Sequence, residues 1–162
     1  MQQVYDIVII GGGPGGIGAA VEAKIMGVKH IMMIEKGDNH SQTIRKFYKD
    51  NKRVDKNYKG QEVELLGNID FRDGTKESTL NYFDALLDKG EIDTAFNSEV
   101  ESITKQGDEF HIVTTTAGYR AKNVIVCIGT MGKPNKPDYT LPLSLKERIN
   151  FNLDKCSHWL LS

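Results

Sequence analysis

Cysteine is scarce in this chain: the two present among 162 residues, Cys127 and Cys156, stand 29 positions apart and form neither a Cys-x-x-Cys pair nor a zinc pattern. No dithiol redox centre is encoded. His30, His40, His111 and His158 are equally dispersed, without a His-x-x-x-His or a His/Cys cluster, so a metal site is not expected. Long apolar runs are missing too. The longest, Ile7 to Ile10, Ile31 to Ile34 and Val124 to Ile128, fall far short of the roughly 20 residues that a transmembrane helix needs. They read as buried strands, and no membrane association is expected. The first residues lack a basic stretch, a long apolar segment and a small-residue cleavage site, so a cytoplasmic protein is the default expectation. No nucleophile elbow is present, although a dispersed Ser/His/Asp triad is not excluded by sequence.

What remains is the composition of a globular protein, with 39% hydrophobic and 27% charged residues, 16 Gly and 4 Pro. At this length one domain can bury a core without disulfide or metal staples. The net charge of −1 conceals a division. Residues 45–59 carry seven Lys/Arg against Asp50 and Asp55, whereas residues 62–101 carry eleven Asp/Glu against Arg72, Lys76 and Lys89. The expectation is two solvated faces of opposite sign. Phe47, Tyr48 and Tyr58 lie within the basic stretch, but one short patch in a protein of sequence pI about 6.4 does not point to nucleic acid.

Periodicity gives a coarse map. Residues 3–10 predict a central parallel strand covered on both faces, ended by Gly11. Pro14 suits the first turn of a helix that runs through Ile17, Ala20, Val21 and Ile25 to a stop at Gly27. Residues 28–35 return as a second strand. A basic stretch over 41–52 is assigned as helix and 62–69 as a short strand. Residues 75–89 predict a helix with Leu80, Phe83, Leu86 and Leu87 on one face and Gly90 just past its end. Strands are expected at 92–96, 99–105, 109–116 and 119–128, a domain border over 131–137, and a short helix at 144–153.

The strongest chemical signal lies at the first strand-to-helix turn, Gly11-Gly12-Gly13-Pro14-Gly15-Gly16, which satisfies G-x-G-x-x-G through Gly11, Gly13 and Gly16. Glycine-rich turns are common, so context decides. This one follows a buried strand, opens a helix, and precedes an acid, Glu35, at the end of the next strand, 19 residues beyond Gly16. Gly11 permits the turn, Gly13 leaves room for a pyrophosphate, Gly16 allows close packing, and the helix N-terminus beginning near Pro14 attracts phosphate. Glu35 is placed to accept ribose hydroxyls, and its charge would repel a 2′-phosphate. The turn should therefore prefer FAD or NAD to NADP. The motif does not separate FAD from NAD, but the strand-rich region 92–128 replaces the β-α alternation of a simple NAD domain.

Gly11-x-Gly13-x-x-Gly16-x-x-x-Ala20 with Gly27, Glu35-Lys36, and the strand leading to Cys127-Ile128-Gly129 together resemble the FAD-dependent pyridine nucleotide-disulfide oxidoreductases, in particular their thioredoxin reductase-like branch. The resemblance covers residues 4–137. Cys127-Ile128-Gly129 stands where the family has a second FAD signature, usually Ala-Thr-Gly, and Gly132-Lys133-Pro134-x-x-x-Pro137 looks like the crossover to an NADPH domain. It implies that residues Gly11 to Gly16, Gly15 included, hold the FAD pyrophosphate, that Glu35, with Lys36 beside it, serves the adenosine ribose, and that Gly129 approaches the cofactor near the crossover. Val100 matches a position whose backbone contacts adenine. Lys52 is assigned a cofactor contact in the segment that passes the flavin, a solvated surface lysine being the alternative.

The departures from the family pattern are as informative. The dithiol of thioredoxin reductases lies in an NADPH domain that this chain lacks, and the bacillithiol-disulfide reductase type has Cys where this chain has Gly15. Only one G-x-G-x-x-G is present, and neither Gly37-Asp38 nor Gly107-Asp108 is placed as the family's C-terminal Gly-Asp pair.

The expectation is thus a Rossmann-like, three-layer α/β FAD/NAD(P)-binding domain with a parallel sheet and a small β-meander. Residues 1–137 would form the FAD-binding part and 138–162 the truncated start of an NADPH domain. The parent activity would pass electrons from NAD(P)H through FAD to a disulfide, flavodoxin or quinone, the pattern looking closest to the reductases of flavodoxin or quinones, with this portion inactive alone. Self-association as a homodimer is left open. The alternatives are a free-standing nucleotide-binding or regulatory module and a small NAD dehydrogenase, for whose catalytic domain the length leaves no room.

Overall fold

The computed structural model describes residues 3–57, 60–62, 64–129, 140 and 142. Strand β1 (Val4–Ile10) pairs in parallel with β2 (Ile31–Ile34) on one side and with β8 (Gly118–Val126) on the other, while β2 pairs in parallel with β5 (Asp93–Ala95). Beyond β8 the direction alternates through antiparallel β7 (Glu109–Thr114) and β6 (Val100–Gln106). The order among the described residues is β5-β2-β1-β8-β7-β6. β1 is the central strand that its β-branched, apolar sequence requires. This is a Rossmann-like α/β fold, mainly parallel, with the meander joined to it through the shared strand β8.

Strand periodicity divides the core in two. Ile7 and Ile9 point toward helix α1 (Pro14–Ile25) and helix α3 (Lys76–Gly90), where Ile9 is buried with Ile17, Ala20, Val21, Met33, Leu80 and Phe83. Val8 and Ile10 point the other way and cluster with Met32, Ile34, Ile112 and Ala121, so the meander covers the second face of the parallel strands. Both faces of β1 are thereby buried over Val8 to Ile10. Burying one such Ile or Val stabilises by about 1.5–3 kcal/mol. Leu86 and Leu87 pack at the margin of the helix-side core, as the periodicity of α3 predicts.

Helix α3 begins with a capping box in which Thr75 and Ser78 serve one another's backbone N–H groups. Its end differs from expectation: Gly90 is the last helical residue, and Glu91 takes the left-handed conformation at φ +47°.

The region 38–75 departs most from its reading. The helix expected over 41–52 stops after six residues, as α2 (Gln42–Phe47), because Tyr48 turns extended and Asn51 adopts φ +59°. A two-residue strand β3 (Arg53–Val54) then pairs antiparallel with β4 (Gly74–Thr75). The described residues of 62–69 form no strand. Their backbone is claimed by another element: the Asn68 and Ile69 N–H groups both donate to the Glu22 carboxylate on α1. The helix expected at 144–153 lies outside the described residues. Among the described residues no helix is long and apolar enough to cross a membrane.

The two charge blocks are not independent faces. Arg45 approaches Asp84 at 3.7 Å, Arg53 lies 3.6 Å from Asp73, Lys76 reaches Asp50 at 3.1 Å, and the Asn51 N–H donates to Glu77. The basic block packs along its acidic counterpart.

Candidate functional site

The three motif glycines have different reasons to be glycine. Gly11 sits at φ +107°, and a Cβ there would come within 2.4 Å of the Cys127 carbonyl oxygen at the end of β8. At Gly16 a Cβ would lie 1.8 Å from the Gly11 carbonyl oxygen. The fold itself demands glycine at both positions. Gly13 has φ −81° and ψ −179°, open to any residue, and a Cβ there would meet nothing within 4 Å. No internal contact explains the missing side chain.

Helix α1 starts from this loop with Gly13 as its N-cap, Pro14 in its first turn, no side-chain cap and no acidic residue in its first turn. The Ile17 N–H donates to the Gly13 carbonyl and closes the first turn. The N–H groups of Gly15 and Gly16 precede any intrahelical partner, and Pro14 has none to offer. Pro14 and Gly15 are exposed. The result is an uncapped, solvent-facing helix N-terminus carrying the positive end of the helix dipole, suited to an anion.

Glu35 follows β2 and is 9% exposed. Its Oε2 accepts the Gly12 N–H at 2.7 Å, its Oε1 accepts the Gly37 N–H at 2.8 Å, and its own backbone is tied to Ala95 and Ser98. A carboxylate has about four lone-pair positions, so two remain after these bonds. Gly12 is gripped from the other side as well, since its carbonyl accepts the Ser41 N–H at 2.7 Å.

The structure brings together Gly11, Gly13, Pro14, Gly15, Gly16 and Glu35. Gly129, at φ +68° and exposed, closes a short stretch whose Cys127 and Ile128 backbone abuts Gly11. Val100 lies two residues beyond Ser98, whose N–H donates to the Glu35 carbonyl, and its side chain packs into the meander-side core. Lys36 is exposed beside Glu35. Lys52 is not brought to the loop by any described contact: its ammonium lies 3.8 Å from the Tyr48 ring centroid, and its carbonyl accepts the Lys76 N–H. Cys127 is half-buried against the helix-side core, and burial pushes its thiol above the usual range, which suits a packing residue and not a nucleophile. Exposed apolar side chains flank it, with Val126 at 56% and Ile128 at 72%.

Sequence reasoning missed the neighbours of the loop. His40 and Ser41 are each 1% exposed. His40 Nε2 is 2.7 Å from Asp84 Oδ1, and Nδ1 is 3.0 Å from Ser41 Oγ. No local signal announces them, because Asp84 is 44 residues away on α3.

A G-x-G-x-x-G turn between a central parallel strand and a helix, with an acid closing the next strand, defines the first crossover of a Rossmann-like domain. The model of the pyridine nucleotide-disulphide oxidoreductases matches residues 8–157, and the chain belongs to that family. It is 30% identical over 129 residues to a ferredoxin–NADP reductase of Streptococcus pneumoniae, a match covering 80% of this chain and 36% of the relative. Among solved structures it resembles a ferredoxin-flavin thioredoxin reductase from Clostridium acetobutylicum, with TM-score 0.60, 29% identity and coverage of 84% of this chain and 40% of that one. The bacillithiol disulfide reductase of Bacillus cereus shares the fold at TM-score 0.66 and 23% identity, over 84% of this chain and 43% of that one. The chain thus spans little more than a third of the length of the curated reductase it matches.

Proposed function

We propose that this chain is the FAD-binding portion of an NAD(P)H-dependent flavoprotein oxidoreductase. The observation that carries the reading is Gly13: the fold has no use for its missing side chain, but a pyrophosphate approaching the uncapped start of α1 does. The residues fit the group. The N–H groups of the first turn of α1 would hold the phosphates, and the two remaining lone pairs of Glu35 would accept the ribose hydroxyls. The Gly12 and Gly37 N–H groups hold that carboxylate in place, so its charge is fixed where a 2′-phosphate would have to sit. Val100 would contact adenine through its backbone, and Gly129 would approach the cofactor where β8 ends. Lys36 and Lys52 would contribute at the rim, Lys52 only after leaving the Tyr48 ring.

FAD, when bound, supplies hydride acceptance and onward electron transfer. This chain's own contribution is binding and orientation, and no general acid or base is assigned. The residues that would bind NADPH lie beyond 137, so we read 1–137 as the FAD-binding domain and 138–162 as the start of an NADPH domain, with this portion inactive alone and cytoplasmic. The final acceptor would be a disulfide, a flavodoxin-like or ferredoxin-like protein, or a quinone; the ferredoxin–NADP reductase relative favours a small electron-transfer protein. Lys46 and Lys49 are exposed in the basic block and suit an acidic partner.

The test is the visible spectrum of the purified chain after incubation with FAD, followed by addition of NADPH. A bound-flavin spectrum that NADPH does not bleach is expected. Tight AMP or NAD binding with no affinity for FAD would instead favour a nucleotide-binding or regulatory module.

A further inference from the structure

The buried pair His40 and Ser41, with the half-exposed Asp84 behind it, touches the glycine loop among the described residues through the bond from the Ser41 N–H to the Gly12 carbonyl. That bond has a geometric consequence. No peptide in the described chain is cis, and in a trans peptide the C=O and N–H vectors are antiparallel. Drawing the Gly12 carbonyl inward onto Ser41 therefore turns the Gly13 N–H outward, toward the open side of the loop. Among the described residues that N–H has no partner. Whatever holds Ser41 in place also aims Gly13.

Ser41 needs holding. It adopts φ +54° and ψ +40°, a left-handed conformation that costs a non-glycine residue about 1 kcal/mol or more. It caps α2, yet its side chain makes no capping bond to that helix. Its hydroxyl is directed instead to His40 Nδ1 at 3.0 Å. Asp84 Oδ1 lies 2.7 Å from His40 Nε2, on the side of the ring away from Ser41. The Arg45 guanidinium, 2.8 Å from the same nitrogen, donates through Nε to the His40 carbonyl and places its charge 3.7 Å from Asp84. The His40 ring also stands edge-on to Phe83, with centroids 6.3 Å apart. The imidazole is thus oriented by α3 on one side and orients Ser41 on the other.

We infer that His40 and Asp84 are positioning residues for the dinucleotide loop: they fix Ser41 so that its N–H locks the Gly12 peptide and presents the Gly13 N–H to a phosphate. This rests on the reading of the loop as a pyrophosphate site. The Ser–His–Asp series is therefore not hydrolytic machinery, since Ser41 and His40 are almost wholly enclosed.

The experiment measures competition by ADP and by adenosine against FAD bound to the full 162-residue chain, comparing wild type with His40→Phe and Asp84→Ala. Phe keeps the ring against Phe83 and removes the ring's contacts to Ser41, Asp84 and Arg45. Asp84 is half-exposed, with its side chain 52% accessible, so its truncation leaves folding intact and decides the matter if His40→Phe does not fold. Wild type should prefer ADP strongly. His40→Phe should reduce the ADP-to-adenosine preference about tenfold and Asp84→Ala about threefold, in line with a hydrogen bond to a charged group. Adenosine affinity should not move, whereas a merely structural role would weaken both ligands together. Unchanged preference in the folded variants would overturn the inference and leave the pyrophosphate reading standing. A wild type without preference for ADP would overturn both.

Discussion

The glycine loop and segment 40–75 meet, among the described residues, at the hydrogen bond from Ser41 to Gly12, and are built by opposite means. In the loop, residues 11–16, the constraints are short-range: Gly11 against the end of β8, Gly16 against Gly11, and Glu35 against Gly12. Segment 40–75 has, among its described residues, only a short helix and a two-residue ladder of its own. It is held by side chains from elsewhere, with Glu22 gripping 68–69, Glu77 the N–H of Asn51, and Asp84 the His40 ring. A loop locked by close backbone contacts and a buried carboxylate can be rigid before a ligand arrives. A segment tied by single side chains releases one tie at a time.

The largest effect should come from breaking the loop's backbone packing. Gly16→Ala, and Gly11→Ala at its positive φ, should destabilise the chain by about 3 kcal/mol or more, because the opposing atoms are backbone and cannot swing away. Thermal unfolding checks this, and a melting temperature within a degree or two of wild type would erase the distinction between the two regions.

Glu35→Gln should cost about 1–3 kcal/mol, since a carboxamide accepts at one end only and sets its NH2 against either the Gly12 or the Gly37 N–H. Denaturant titration reads the change. A neutral outcome would mean that the carboxylate serves a ligand and not the loop.

The smallest effect lies in segment 40–75 and is pH-dependent. The Asn68 side chain first, with the Ile69 and Asn68 N–H groups, holds the Glu22 carboxyl below its ordinary value. A lowered folded-state value means that the tie is complete above the ordinary Glu value of about 4.3 and is lost as pH falls through the lower folded one. The protection of the Asn68 and Ile69 amides, relative to their intrinsic exchange rates, should therefore fall in acid while that of β1 stays high, and Glu22→Gln should lower it at neutral pH. Uniform exchange across both regions in acid would show that 67–69 is not a separately released unit.

The same contrast explains what could be read from sequence. The first strand, the glycine turn, α1 and Glu35 were legible because strand hydrophobicity, Pro14 and the glycine spacing all act within about 35 residues. The strands of the meander and the core face of α3 were legible from alternation and helical spacing. The extent of α2, the absence of a strand in the described part of 62–69 and the His40–Asp84 contact were not. Each depends on a single side-chain bond to a different element, Glu22, Glu77 or Asp84, at a spacing that no motif announces. The pairing of the two charge blocks was missed for the same reason.

The central claim is that Gly13 is glycine for a ligand while Gly11 and Gly16 are glycine for the fold. Gly13→Ala should be measured twice, by thermal unfolding and by FAD titration of the purified chain. The account predicts a stability change under about 1 kcal/mol, the scale of an N-cap substitution, with FAD affinity lowered about tenfold or more. Unaltered FAD affinity, or a collapse of stability comparable to that of Gly16→Ala, would contradict it.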